Sequence, residues 1–168
     1  MLNVCEFDST RKRMSVILRD PKGRIVLMCK GADSIIKERL NQQSLNGSVL
    51  KNTQDYVNEY AEGGLRTLFL AERIIPEEEY NAWNKKAKQA RLEIKDRDQA
   101  VAAVDELIEV DLELVGCTAI EDRLQDEVAE TIQFIKRAGV KVWVLTGDKI
   151  ETAINIGYSA GLLDNSMA

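Results

Sequence analysis

The sequence predicts an α+β fold: a mixed, mainly antiparallel sheet with flanking helices, followed by a truncated αβα piece of the doubly wound type. Three observations carry this. Residues 3–29 read as three strands joined by tight turns, and residues 32–120 alternate helical periodicity with two more strands. Beyond residue 121 an amphipathic helix, an apolar run and a second helix follow one another, the order of an α/β layer.

Residues 3–8 form the first expected strand. In residues 13–19, Met14, Val16 and Leu18 alternate with polar neighbours, so they share one face of a second strand. Asp20-Pro21-Lys22-Gly23 is a type I turn, with proline at its second position and glycine at its fourth. The unbroken apolar run 25–29 predicts a strand covered on both faces. A helix is expected over 32–40, then a polar loop over 41–47, then a helix over 49–62 stopped by Gly63-Gly64. Residues 67–75 return as a strand. Pro76 opens a helix reaching Leu92, and the acids Glu77, Glu78 and Glu79 in its first turn complement the positive end of the helix dipole. After a charged break at 93–98, a shorter helix over 99–109 leads into a strand over 112–120. Val128, Ile132 and Ile135 recur at helical spacing before Gly139, and a strand over 140–145 precedes a last helix over 150–159. The change of character at Glu121-Asp122-Arg123 places a domain boundary there, giving domains 1–120 and 121–168.

The totals narrow the chemistry. The chain has 168 residues, a net charge of −5 and no histidine, so histidine-based metal binding and acid–base catalysis are excluded. No face is strongly basic, which argues against nucleic acid as a partner. Cys5, Cys29 and Cys117 lie far apart in apolar runs, suiting small buried hydrophobes in a reducing compartment better than zinc ligands. No apolar run approaches the roughly 20 residues that span a bilayer. Asn46-Gly47-Ser48 matches a glycosylation sequon, incidental in a cytosolic setting.

Thr146-Gly147-Asp148 ends an apolar run and opens a helix, which brings a hydroxyl, a flexible backbone and a carboxylate to the end of a strand where open sheets hold ligands. Asp148 with Glu151 three residues later also matches a capping box, which needs no ligand. Thr146 and Gly147 are not required for capping, and a phosphate site can use both. Phe7 ends the first strand and is followed by Arg11, Lys12 and Arg13. A ring in that position is more often core, yet with three cations behind it it also suits base stacking beside phosphates. Lys30 leaves an apolar strand at a glycine turn, towards solvent or into a pocket. Arg66 opens a strand, where guanidinium suits either phosphate or a surface ion pair.

Taken together, Phe7-Asp8-Ser9-Thr10-Arg11-Lys12-Arg13-Met14-Ser15, Lys30-Gly31-Ala32-Asp33, Gly64-Leu65-Arg66-Thr67-Leu68, Ile120-Glu121-Asp122-Arg123-Leu124-Gln125 and Thr146-Gly147-Asp148-Lys149-Ile150-Glu151-Thr152 resemble the cytoplasmic catalytic region of P-type ATPases, in that family's order. Asp33, the Glu121 to Gln125 run and Lys149 to Thr152 follow the form of the phospholipid-transporting branch, the flippases, where calcium-type pumps carry Lys-Gly-Ala-Pro, Asp-Pro-Pro-Arg and Thr-Gly-Asp-Asn. The resemblance implies that residues 1–120 are the latter part of a nucleotide-binding domain and 121–168 part of a haloacid-dehalogenase-like phosphorylation domain. It implies that Phe7 stacks adenine, that Ser9, Lys12 and Lys30 line the pocket, and that Arg66 and Thr67 engage the phosphates. Thr146, Gly147 and Asp148 would meet the γ-phosphate and the magnesium environment, with Asp122 and Arg123 at the hinge.

The Asp-Lys-Thr-Gly-Thr motif that bears the family's phosphorylated aspartate is not in these residues, so no catalytic nucleophile and no metal ligand is assigned to them. The expectation is a cytosol-facing fragment of a large multi-pass membrane protein that binds ATP without turnover, while its parent uses ATP and magnesium to move phospholipid, with a membrane accessory subunit. Two other readings compete: a soluble haloacid-dehalogenase-like phosphohydrolase, which would need its own nucleophilic aspartate, and a nucleotide-independent interaction module.

Overall fold

The computed structural model describes residues 1–121, 123–147 and 150–164. Twelve elements follow in order among them: β1 (Asn3–Asp8), β2 (Arg13–Arg19), β3 (Ile25–Gly31), α1 (Asp33–Lys37), α2 (Gln42–Asn46), α3 (Ser48–Glu62), β4 (Arg66–Ile75), α4 (Glu77–Leu92), α5 (Arg97–Ile108), β5 (Glu113–Ile120), α6 (Val128–Arg137) and α7 (Ile150–Ser159). They fall into two compact units. One holds Met1–Thr53 with Leu68–Cys117, the other Gln54–Thr67 with Thr118–Ala168.

The first unit is built on a sheet of order β1-β2-β3-β4-β5. The ladders joining β1 to β2, β2 to β3 and β3 to β4 are antiparallel. Parallel pairing occurs as the isolated bridge between Leu40 and Leu112. The expected turn joins β2 to β3: Gly23 N–H donates to the Asp20 carbonyl at 3.0 Å, and the Asp20 carboxylate accepts from the amides of Lys22 and Arg24. Strand alternation then sorts the side chains. Ser15, Cys29 and Ala71 share one row, Arg13, Gly31 and Phe69 the next, and all six are buried. Helices α4 and α5 close this face, linked to each other by Trp83 Nε1–H donating to the Val104 carbonyl at 2.8 Å. Tyr80 of α4 reaches the Asn3 side-chain amide on β1.

Two expectations for this unit are corrected. The run 25–29 is not covered along both faces: Ile25, Val26, Leu27 and Cys29 are buried, but Met28 is 45% exposed, where its row with Val16 and Glu72 opens onto a cavity. Residues 41–47 are not all loop. Asn41 Oδ1 accepts from the Ser44 amide at 2.8 Å, and this N-cap starts the short helix α2.

In the second unit, Asn155 of α7 donates to the carbonyl of Glu62 at the end of α3 (3.1 Å), and Gln133 of α6 donates to the Gly161 carbonyl at 2.8 Å. The strand expected over 140–145 is absent among the described residues, so the αβα piece lacks its β layer there. A strand exists through its ladder. This run has no neighbour to pair with among the described residues, and Trp143 and Leu145 stand 82% and 97% exposed.

Candidate functional site

The sheet face opposite α4 and α5 carries a cavity of about 360 Å³, near the lower end of the range for small-molecule sites. Its origin is the β2 to β4 register. Met14, Lys30 and Leu70 form one cross-strand row and Val16, Met28 and Glu72 the next. With Val115 of β5, these side chains give an apolar concave wall with one ammonium and one carboxylate. Alternation makes Met14 and Val16 of the Met14, Val16, Leu18 stripe the floor of a cavity rather than core.

The turn between β1 and β2 stands at the end of the β2–β3 ladder, past the pair of Arg13 and Gly31. Asp8 Oδ1 accepts from the amides of Thr10 (2.8 Å) and Arg11 (3.1 Å), and these two bonds hold its carboxyl below the usual carboxylate range. The Lys12 amide donates to the Asp8 carbonyl at 2.7 Å, closing the turn with Lys12 at φ 51°. The Ala32 amide donates to the Lys12 carbonyl at 3.0 Å, so the turn is bonded to the segment after Lys30. Gly31 admits no side chain here: a Cβ would lie 2.6 Å from Arg13 Cβ and 2.7 Å from the Lys12 carbonyl oxygen.

Of the sequence-assigned residues in the first unit, Lys30 lines the cavity, while Ser9 and Lys12 are exposed on the turn. Phe7 is not core. Its ring is 64% exposed beside an irregularity in the β1 to β2 ladder, and it lines a second cleft with Arg11, Arg91, Arg97 and Asp105 rather than the cavity of Lys30. In the second unit Arg66 is exposed and Thr67 half-buried at the start of β4, and Thr146 and Gly147 are exposed after the apolar run. Arg123 Nε donates to Glu121 Oε2 at 2.9 Å, both side chains largely in solvent. Asp122 and Asp148 lie outside the described residues.

Arg11 and Arg13 do not join Lys12 as a cationic strip. Both are buried on the opposite face, where α5 and the residue after it supply acids. Glu109, fully buried, accepts from Arg11 Nη2, from Arg13 Nε at 2.6 Å and from Ser15 Oγ at 2.6 Å. Glu106 bridges Arg13 (3.1 Å) and Arg39 (3.2 Å), and Asp105 stands 3.8 Å from Arg11. Burial works against the Arg11 charge, but the hydrogen bond and charge of Glu109 override it and raise its pKa. Burial raises the Asp105 pKa, with Arg11 opposing. The Arg13 hydrogen bond lowers that of Glu106. Sequence reasoning passed over these acids as ordinary helix residues. The available signal was spacing: Arg11 and Arg13 share parity with Ser15 and Ile17, the buried face, and Asp105 and Glu109 recur one helical turn apart.

The first unit is thus an α+β domain, an antiparallel sheet with α4 and α5 on one face and an open, apolar, lysine-bearing cavity on the other. Residues 1–127 match the family described as P-type ATPase, cytoplasmic domain N, and the chain belongs to the P-type ATPases. Relatives that match nearly all of this chain are named for phospholipid transport. "Probable phospholipid-transporting ATPase 4" of Arabidopsis thaliana is 54% identical over 99% of this chain and 14% of the relative. Phospholipid-transporting ATPase DNF1 of Chaetomium thermophilum is 50% identical over 99% of the chain and 11% of its own length. Phospholipid-transporting ATPase DRS2 of Saccharomyces cerevisiae is likewise 50% identical, over 99% and 12%. The chain therefore spans about an eighth of the length of the relatives it matches. No helix among the described residues is long and apolar enough to cross a membrane.

Proposed function

We propose that these residues are the ATP-binding part of a phospholipid-transporting ATPase. The open cavity supports this most directly: an apolar floor of Met14, Val16, Met28 and Leu70 suits a planar base, and Lys30 in the same row suits the phosphates. Phe7 supplies a solvent-exposed ring that stacks on adenine, which requires it to turn from the neighbouring cleft. Ser9 and Lys12 on the turn and Arg66 with Thr67 at the start of β4 complete the set. Guanidinium binds phosphate through paired donors, and ammonium binds it as a point charge.

In the whole protein, ATP hydrolysis through an aspartyl-phosphate drives phospholipid between bilayer leaflets, with a membrane accessory subunit, and this region faces the cytosol. The domain boundary lies near residue 121, with Asp122 and Arg123 at a hinge. Thr146, Gly147 and Asp148 would meet the γ-phosphate and the magnesium environment that the triphosphate brings. A nucleophile from the Asp-Lys-Thr-Gly-Thr motif is not among these residues, so the 168-residue chain binds ATP without turning it over.

Calorimetric titration of the chain with ATP tests this. Saturable binding is expected, weakened by Phe7→Ala by about 1–3 kcal/mol, the usual scale of base–aromatic stacking and roughly 5- to 150-fold in Kd. Absence of saturable binding, or binding indifferent to both Phe7→Ala and Lys30→Ala, sinks the assignment and returns the interaction-module reading.

A further inference from the structure

We propose that Glu109 is a positioning residue for the nucleotide phosphates: by holding Arg11 and Arg13 on the helix-covered side of the sheet, it fixes where Lys12 stands relative to Lys30. The inference rests on the nucleotide reading above.

Glu109 is 0% exposed and accepts from three side chains, both guanidiniums and the Ser15 hydroxyl. The two arginines sit two residues apart, and the clamp turns both inward. Lys12, between them, faces solvent at a positive φ. Its carbonyl is bonded to the Ala32 amide, and Gly31 is pressed against Arg13 Cβ and the Lys12 carbonyl with no space for a methyl group. Lys30 is the next residue back. The backbones that carry the two lysines thus share one joint, and its buried side is the contact of Arg13 with Glu109. A cation whose backbone is fixed loses less freedom on binding a phosphate than one on a mobile turn. Coulomb attraction also falls with separation, so displacing the turn weakens the contact with charged ligand more than the apolar contacts of a base with the floor of Met14, Val16, Met28 and Leu70.

The readout is the ratio of Kd for adenosine to Kd for ATP, measured by NMR titration of the 168-residue chain. It isolates the phosphate contribution. Glu109→Gln is expected to leave adenosine affinity within about twofold and to cut the ratio about tenfold, with Glu109→Asp recovering part of the loss. Lys12→Ala should give a comparable loss, and the double variant no further loss, since both act on one interaction. Should Glu109→Gln fail to fold, because it leaves two buried guanidiniums short of counter-charge, Gly31→Ala disturbs the same joint with every charge in place. It should show the same phosphate-selective loss. A folded Glu109→Gln or Gly31→Ala chain with an unchanged ratio, equal losses for adenosine and ATP, or additive losses with Lys12→Ala overturn the proposal. If the wild-type chain binds ATP and these outcomes appear, positioning alone fails. If the wild type binds neither ligand saturably, the nucleotide reading fails first.

Discussion

Residues 25–29 and 140–145 are apolar runs of similar length and composition, and they meet opposite fates. The first, at the centre of a sheet, pairs on both sides: Val26, Leu27 and Met28 are registered against Leu18, Ile17 and Val16 of β2 and Ile74, Arg73 and Glu72 of β4. Leu27 is fully buried. The second has no ladder among the described residues and carries its largest side chains into water. Apolar sequence supplies the incentive to bury. The neighbours that bond N–H and C=O decide whether a strand forms.

The largest effect expected from this contrast is on stability. Phe69, 0% exposed in the row of Arg13 and Gly31, should cost about 3–5 kcal/mol on truncation to alanine, the scale of lost transfer energy plus cavity. Trp143→Ala removes a larger ring that is 82% exposed and should stay within about 0.5 kcal/mol. Urea denaturation of the chain compares them directly. A cost for Trp143→Ala near that for Phe69→Ala would mean that 140–145 is packed after all, and the contrast would fall.

What the sequence disclosed follows the same division. The hairpin turn at Asp20 and Gly23, the Met14, Val16, Leu18 stripe and the helix after Pro76 are local: short-range hydrogen bonds and period-two alternation decide them, and the structure has each. Whether the stripe meets a helix or water is not local, so the open face at Met28 was invisible. The clustering of Arg11 and Arg13 with Glu109 spans nearly a hundred residues. Spacing along the chain therefore left their charges open to phosphate, whereas burial commits them to Glu109. Lys30 and Lys12 were legible as cations next to a glycine and a turn. Their common joint was not, because the contact of Gly31 with Arg13 exists only once β2 and β3 pair.

A smaller effect separates the glycines of the two phosphate-type motifs. Gly31→Ala must force a methyl group to within 2.6 Å of Arg13 Cβ, so overpacking of about 1–3 kcal/mol is expected. At Gly147 an added Cβ meets nothing within 4 Å, and alanine should be neutral or stabilise by up to about 1 kcal/mol by restricting the unfolded chain. Thermal unfolding of the two variants reads both signs. A larger loss at Gly147 than at Gly31 would relocate the tight backbone approach from the β2–β3 joint to the exposed segment.

The smallest effect is one of slope rather than level, and it belongs to two acids of α5 in the first unit, buried Asp105 and half-exposed Glu106. Burial raises the folded-state pKa of Asp105 above its unfolded value, with Arg11 opposing. Between the ordinary aspartate value of about 4 and that raised value, the native state keeps a proton that the unfolded chain has released. Its share of stability is therefore complete below the unfolded pKa and is lost as pH rises through the folded one. Glu106 runs the other way: the Arg13 hydrogen bond lowers its pKa, so its contribution is present above the unfolded pKa and disappears as pH falls through the folded value. Asp105→Asn removes the first trend and leaves the second. The difference in Tm, Asn variant minus wild type, should then grow as pH rises above the ordinary aspartate value of about 4 and flatten once pH exceeds the raised folded-state value. Arg11 keeps Glu109 as its main partner throughout, so the variant should not lose the fold. A difference that shrinks with pH would mean that ionised Asp105 is a net stabilising partner of Arg11. The burial penalty would then be smaller than the 3.8 Å attraction, and Asp105 and Glu109 would hold the joint together rather than Glu109 alone.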